Sequence, residues 1–338
     1  MSNLDERIAI IKEVEQIRDS KVICYLTGDR PGFETRIGKD VFSHLYSHLN
    51  NFGNVKNIDL FLYTRGGDTI AAFGIVNQIR EFCEKFSVLI PYKAHSAGTL
   101  ISLGADEIIM TKLGQLGPID PSITTPYNPT TAPNPLNPQQ QFLPVSVEEV
   151  IGFLHLAKKE ADLTAPGLLD NVFKSLTDKV HPLALGSVYR AKEQIGMLAE
   201  KLLSTHPSGT QEEKKKIIST LTKELYSHDY IISRKEAKRL KLNVVDVDSK
   251  INDKIWNLYK AYEKELEQEV PFNSEAFLGT LGEATGEFYR AFIESAETTH
   301  TFVTKKEFKR FQVTVPNMPV PQAGIQERIM FEGWRKER

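Results

Sequence analysis

The chain has 338 residues, 41% of them apolar and 25% charged, and its net charge is −2. This ordinary globular balance excludes a collagen-like repeat and a wholly disordered chain, and no overall basic charge favours nucleic acid or an anionic membrane. The length predicts two domains, or one large domain with additions. The two cysteines, Cys24 and Cys83, sit in apolar runs and cannot build a disulfide framework. No Cys-x-x-Cys pair or other metal-ligand cluster occurs, and no cofactor is expected. The polar, acidic start carries no targeting pattern, and no apolar run is long enough to span a bilayer, so the expected location is cytoplasmic.

Ile8, Ile11, Val14 and Ile17 recur at helical spacing and predict an amphipathic helix within residues 1–20. Residues 21–26 (KVICYL) read as a buried strand, 27–32 as a turn, and a helix opens at Asp40 with Val41, Phe42, Leu45 and Leu49 on one side. The pattern repeats. Residues 58–64 (IDLFLYT) are a strand, 65–68 (RGGD) a tight turn, and 69–85 a helix. Residues 87–92 (SVLIPY) form a third strand, 93–98 (KAHSAG) a turn, 99–104 a helix, and 107–110 a fourth strand. Alternating strands and helices predict an α/β core with mostly parallel strands over 21–120.

Residues 121–146 then hold seven of the 17 prolines and predict a loop that limits access to a nearby site. Helical periodicity follows over 147–159, 168–180, 183–203 and 212–226, with a brief strand at 230–232 and a short helix at 234–240. Residues 147–250 are read as completing the core. Residues 251–338 are read as an extension: helices over 251–269 and 275–297, a hairpin pairing 301–303 with 311–315, and a Pro-rich tail.

Two strand-to-helix turns carry chemistry. In Thr64-Arg65-Gly66-Gly67-Asp68, glycines let backbone N–H groups approach a bound oxyanion, while Asp68 argues against a phosphate and reads as a helix N-cap. In Ala94-His95-Ser96-Ala97-Gly98, small residues surround one serine at a sharp junction; such a turn suits a serine nucleophile, but by itself the serine reads first as a helix N-cap. Both turns leave neighbouring parallel strands at the edge where open α/β sheets bind ligands.

The order IDLFLYTRGGD, helix, SVLIPYKAHSAGTLISLGADEIIMTKLGQLGPIDP resembles the Clp protease/crotonase superfold, and within it the signal peptide peptidase and serine dehydrogenase proteinase group. The segments HPLALGSVYR and SHDYIISRKEA resemble the serine dehydrogenase proteinase family, and the resemblance spans about residues 20–245. It implies an α/β, Clp protease/crotonase-like core of repeated strand-turn-helix units with a largely helical C-terminal extension. It also implies an ATP-independent serine peptidase acting on peptide or protein substrates, assembled as a homo-oligomer. Ser96 matches the family nucleophile, and Gly67 and Ala97 match the N–H donors of its oxyanion hole. Arg65 stands where the related proteases often carry proline, and is read as pairing with a nearby carboxylate rather than steering an acidic substrate.

A serine hydroxyl needs a base, and several residues compete for that role. The slot that holds histidine in the proteolytic Clp subunit holds Asp120, which could orient a histidine but is a weak base alone. The signal peptide peptidase group uses a lysine whose window here is the Pro-rich loop. The first lysines beyond it are Lys158 and Lys159. His95 adjoins Ser96 and reads as a wall residue, since neighbouring side chains do not face each other. His44 and His48 share a helix face without a third ligand and read as surface. His181 and His228 lie in the two segments resembling the family. The base is thus left open between His181 and the Lys158/Lys159 pair.

Two other functions compete. Acyl-CoA chemistry of the crotonase kind needs an oxyanion hole and a basic patch, but the basic segments 212–216 and 234–241 lie away from the turns. A non-catalytic scaffold needs neither turn. No G-x-x-x-x-G-K-[ST] motif occurs. The N-terminal helix and a segment with Phe277, Phe288, Tyr289 and Phe292 are candidate assembly surfaces.

Overall fold

Short apolar runs separated by glycine-bearing turns give the computed structural model its central parallel sheet. The structure describes residues 3–119, 122–123, 125–131, 142–143, 145–165, 167–206, 209–225, 227–313 and 322–338. Asp120 and half of the Pro-rich segment 121–146 lie outside these residues. The chain divides into two compact units, Met1–Leu116 with Ile232–Arg338, and Gly117–Ile231.

The first unit begins with α1 (Asn3–Arg18), β1 (Lys21–Thr27), α2 (Phe42–Phe52), β2 (Val55–Tyr63), α3 (Thr69–Arg80), β3 (Cys83–Ile90), β4 (Lys93–Ala94), α4 (Ala97–Leu103), β5 (Glu107–Met110) and β6 (Gln115–Leu116). The second unit holds a two-residue ladder of β7 (Ser122–Ile123) with β8 (Val145–Ser146), then α5 (Val147–His155), a π-helical turn (Leu156–Glu160), α6 (Leu168–Thr177), α7 (Pro182–Leu203) and α8 (Gln211–Ser219). The chain then returns to the first unit with β9 (Ile232–Ser233), α9 (Arg234–Arg239), β10 (Val244–Val245), α10 (Ser249–Glu265), α11 (Ser274–Leu278), β11 (Glu283–Glu294), β12 (Thr299–Val313) and β13 (Gln322–Lys336).

Eight of these strands form one sheet in the order β10-β5-β3-β2-β1-β11-β12-β13. From β10 to β1 every pair is parallel, and from β1 to β13 every pair is antiparallel. Strands buried on both faces read as continuous apolar runs rather than alternating ones, which is why residues 21–26 show no period of two. Val22, Cys24 and Leu26 of β1, with Phe61, Tyr63 and Leu89, face a layer built by Ile11 and Val14 of α1 and by Ile255, Leu258 and Tyr262 of α10. The alternate residues Ile23, Leu60, Leu62 and Val88 are equally buried on the other face, where α3 packs against β3 and bridges α2 to α4.

A buried ionic cluster ties the first helix to the last part of the chain. Arg7 donates to Glu294 through Nε at 2.8 Å and through a terminal nitrogen at 3.1 Å. Tyr262 and Thr299 also donate to the Glu294 carboxylate, which is fully buried. The Arg7 guanidinium lies 4.9 Å from the ring centroids of both Tyr262 and Phe292. Buried charges persist only when paired and hydrogen-bonded in this way.

The end of the chain departs from expectation. The helix read over 275–297 is the short α11 followed by the strand β11, which pairs antiparallel with β1 through Cys24–Glu294, Leu26–Phe292 and their neighbours. The expected hairpin of 301–303 with 311–315 is instead one long strand, β12, paired with β11 and β13; residues 314 and 315 lie outside the described set. The tail read as Pro-rich is strand β13 over its described part. Sheet pairing settles these segments, because β1 would otherwise expose a free edge. Among the described residues, no helix is long and apolar enough to cross a membrane.

Candidate active site

The two turns identified in the sequence meet at the carboxyl ends of β2 and β4. Asp68 caps α3, its carboxylate accepting from Ile70 N–H at 2.7 Å and Ala71 N–H at 3.1 Å. Ser96 occupies the N-cap position of α4, but its side chain makes no capping bond. Its backbone sits at φ +51°, a left-handed conformation that a non-glycine residue adopts only where the surroundings enforce it, at roughly 1–3 kcal/mol. Ser96 is half-buried, and its hydroxyl has no hydrogen-bond partner among the described residues. A serine serving merely as a helix cap would spend that oxygen on a backbone N–H.

Gly66 and Gly67 are shaped by close approach. Gly66 sits at φ +113°, and a methyl group there would lie 2.8 Å from Ser96 Cβ and 3.2 Å from Ser96 Oγ. Gly67 sits at φ +150°, and a methyl group there would lie 2.3 Å from the Ile37 carbonyl oxygen. Ile37 N–H donates to Gly66 O, and Asp68 N–H donates to Ile37 O, both at 2.9 Å. These bonds turn the Gly67 N–H to the opposite side, where it has no acceptor among the described residues. The Ala97 N–H, at the first position of α4, has none either.

Thr64 joins the turns. Its N–H donates to Lys93 O at 2.9 Å and its carbonyl accepts from His95 N–H at 3.1 Å, a parallel bridge with Ala94. Gly98 must be glycine, because a methyl group there would lie 2.5 Å from Thr64 Cγ2. Beside the same turn, Lys93 donates to Asp29 at 2.7 Å. Burial, aided by the Asp29 carboxylate, pushes the Tyr63 hydroxyl far up. The sequence reading gave no role to Thr64 or Ile37; the only local signal was a β-branched, hydroxyl-bearing residue closing the run 58–64.

The other candidates fall as follows. His95 is half-buried next to Ser96. Arg65 is exposed, and the carboxylate partner expected for it is absent among the described residues. Lys158 and Lys159 are exposed in the π-helical turn of the second unit. His181, also exposed in that unit, caps α7: its Nδ1 accepts from Leu183 N–H at 3.2 Å, and its ring stacks on Tyr127 at 4.9 Å. His228 is exposed in the second unit. Asp120 lies outside the described residues. Burial pushes the Cys24 thiol far up and the Cys83 thiol up to about 11, so neither offers a thiolate near neutral pH.

The surface reading of His48 is wrong. His48 is fully buried, with Nδ1 2.9 Å from Ser295 Oγ and Nε2 3.1 Å from His300 Nδ1. The His44 ring lies 4.8 Å from that of His300 and 5.4 Å from that of Trp334. The missing partners come from the segment around β11 and β12, some 250 residues downstream, beyond the reach of local periodicity. Among the described residues, no group of three potential ligands could hold a metal ion.

Over residues 1–133 the sequence matches the family described as ClpP-like SDH-type serine proteinase. Two uncharacterized proteins of Methanocaldococcus jannaschii are similar to the chain. One is 28% identical over 214 residues, which are 63% of this chain and 61% of the relative, so the chain spans less than two thirds of that relative's length. The other is 25% identical over 267 residues, 76% of each chain. Among solved structures, the ClpP protease catalytic domain from Plasmodium falciparum is similar with a TM-score of 0.35 and 11% identity, over 72% of this chain and 92% of that one. The matched family is thus one of serine proteinases, and the matched stretch contains both turns.

Proposed function

We propose that the chain is an ATP-independent serine peptidase working by acyl transfer. The observation that carries this reading is Ser96: a strained, half-buried serine whose hydroxyl is withheld from helix capping and lies against the Gly66–Gly67 turn. Ser96 Oγ attacks a peptide or ester carbonyl, its proton passes to a base, and the carbonyl oxygen takes up the negative charge. The N–H groups of Gly67 and Ala97 receive that oxyanion, and donors already aimed at the developing charge cost no reorganisation. The adduct collapses by breaking the bond from the carbonyl carbon to the amine or alcohol, which leaves with the proton held by the base, and water attacks the resulting acyl-enzyme to release the acid and restore the serine hydroxyl. Lys158, Lys159 and His181 are the proposed sources of the base, and Asp120 a proposed orienting group. With Nδ1 accepting from Leu183 N–H, the neutral His181 ring carries its proton on Nε2, so it serves as a base only by releasing that capping bond and taking the proton on Nδ1. Homo-oligomeric assembly belongs to the same proposal.

A fluorophosphonate probe tests the reading. The folded chain should be labelled on Ser96, and Ser96→Ala should abolish both labelling and hydrolysis of a p-nitrophenyl ester. Labelling that persists in Ser96→Ala, or a folded wild-type chain that takes no label, would overturn it, and the second result would favour acyl-CoA chemistry or a scaffold.

A further inference from the structure

We propose that Thr64 is the positioning residue that sets the oxyanion-binding turn in register with the nucleophile, an inference that rests on the serine-peptidase reading. The hydroxyl of Thr64 is saturated. Its oxygen accepts from Thr27 O–H at 2.7 Å and from Gly66 N–H at 3.0 Å, and its own proton faces Gly66 O at 3.4 Å. A hydroxyl has two acceptor sites and one donor, and all three are directed here at fixed neighbours. Thr27 and Thr64 are both buried, so no solvent competes for these bonds.

Every other part of Thr64 holds the serine turn. Its backbone N–H and C=O bond Lys93 and His95, and its methyl group meets the α-carbon face of Gly98 in α4. One residue thus grips the glycine turn with its hydroxyl and the serine turn with its backbone and methyl. The result is visible at Gly66, whose α-carbon face is pressed against Ser96. Thr27, on the neighbouring strand β1, fixes the rotamer by donating to the oxygen that receives Gly66. Without the hydroxyl, the buried Gly66 N–H loses its acceptor and the turn can rotate to find another. Donors displaced by about 1 Å can cost about 10²-fold in rate.

The test uses the full chain and hydrolysis of p-nitrophenyl butyrate. Thr64→Val keeps the shape and removes the oxygen; its kcat should fall about 10- to 100-fold with KM unchanged, because the lost contact serves the transition state. Thr64→Ser restores the oxygen without the methyl group and should recover kcat to within about threefold of wild type, an outcome that a packing role for Thr64 would not give. Wild-type kcat in Thr64→Val, or failure of Thr64→Ser to recover it, overturns the inference. Should Thr64→Val not fold, Thr27→Val decides. It leaves the Gly66 bond but frees the Thr64 hydroxyl to rotate, so kcat should fall by a smaller factor at constant KM, and a wild-type kcat there overturns the proposal. The peptidase reading fails separately: it falls if Ser96→Ala retains hydrolysis, whereas a dead Ser96→Ala beside a fully active Thr64→Val sinks only the role of Thr64.

Discussion

Acidification should unfasten α2 from the strands that follow it, through the buried histidines. His48 is pushed down to about 3, first by burial and then by the neighbouring His300, His44 and Lys336, and His300 is pushed down to about 4 by burial, His44 and Lys336. His44 is also lowered, mainly by burial and against the pull of Asp40. The bond between His48 Nε2 and His300 Nδ1 holds one proton, and charging both rings would place two N–H groups face to face at 3.1 Å. A group whose folded pKa is depressed takes up protons first in the unfolded chain. The stability it contributes is therefore present above the unfolded value of about 6.5 and is lost as pH falls toward the folded value. For His48 alone, the loss between about pH 7 and about pH 5 is about 2 kcal/mol. Carboxylates titrate in part of this window, so the comparison is with His48→Gln, which keeps a hydrogen-bonding group but does not ionise. Urea unfolding at several pH values should show the wild type losing about 2 kcal/mol more than the variant. Parallel pH profiles for the two would refute the argument.

Gly66→Ala forces a methyl group onto Ser96 at a backbone angle that alanine avoids, so fluorophosphonate labelling should slow at least about 10²-fold while far-ultraviolet circular dichroism stays native; wild-type labelling would contradict the geometry. Arg7→Met leaves the Glu294 carboxylate buried without its cation and should cost about 3–5 kcal/mol by urea unfolding, most of it recovered when Glu294→Leu is added. For the base, His181→Asn retains a good helix cap and Lys158→Met or Lys159→Met removes one amine. The substitution that removes the low-pH limb of the pH–rate profile, where the base is lost to protonation, identifies the base, and unchanged profiles in all three would exclude these residues.

The two turns of the candidate site were legible where their geometry is local. A serine among small residues between a strand and a helix, and a pair of glycines at the previous such junction, each define their own backbone shape within a few residues. The first four long strands of the core were legible for the same reason, as apolar runs bounded by turns. What escaped depends on distant partners. In β11, Phe288, Tyr289 and Phe292 fall at helical spacing, yet the free edge of β1 recruits the segment as a strand. Its Gly286 has Phe277 and Phe288 against its α-carbon, an approach that a side chain would block. In β13, charged residues between Ile325, Ile329 and Phe331 mask the two-residue period, and a bulge near Met330 shifts the pairing with β12. His48 looked exposed because the hydroxyl and imidazole that satisfy it are supplied from β11–β12, and the exchange of one hydrogen bond for another leaves no periodic trace.

The attachment of β11 to β1 also fixes when the sheet that carries Ser96 can be completed. During synthesis, the segment carrying Ser96 leaves the ribosome early, but β1 then has an open flank, and α1 waits for the carboxylate at position 294 and the cover of α10. The whole second unit, residues Gly117–Ile231, is made in between and has its own internal contacts. A nascent or truncated chain therefore bears Ser96 on an unfinished sheet, and β1 gains its second neighbour only with the final part of the chain. The order in which the strands are laid down thus leaves the serine turn on an incomplete sheet until β11 has been made.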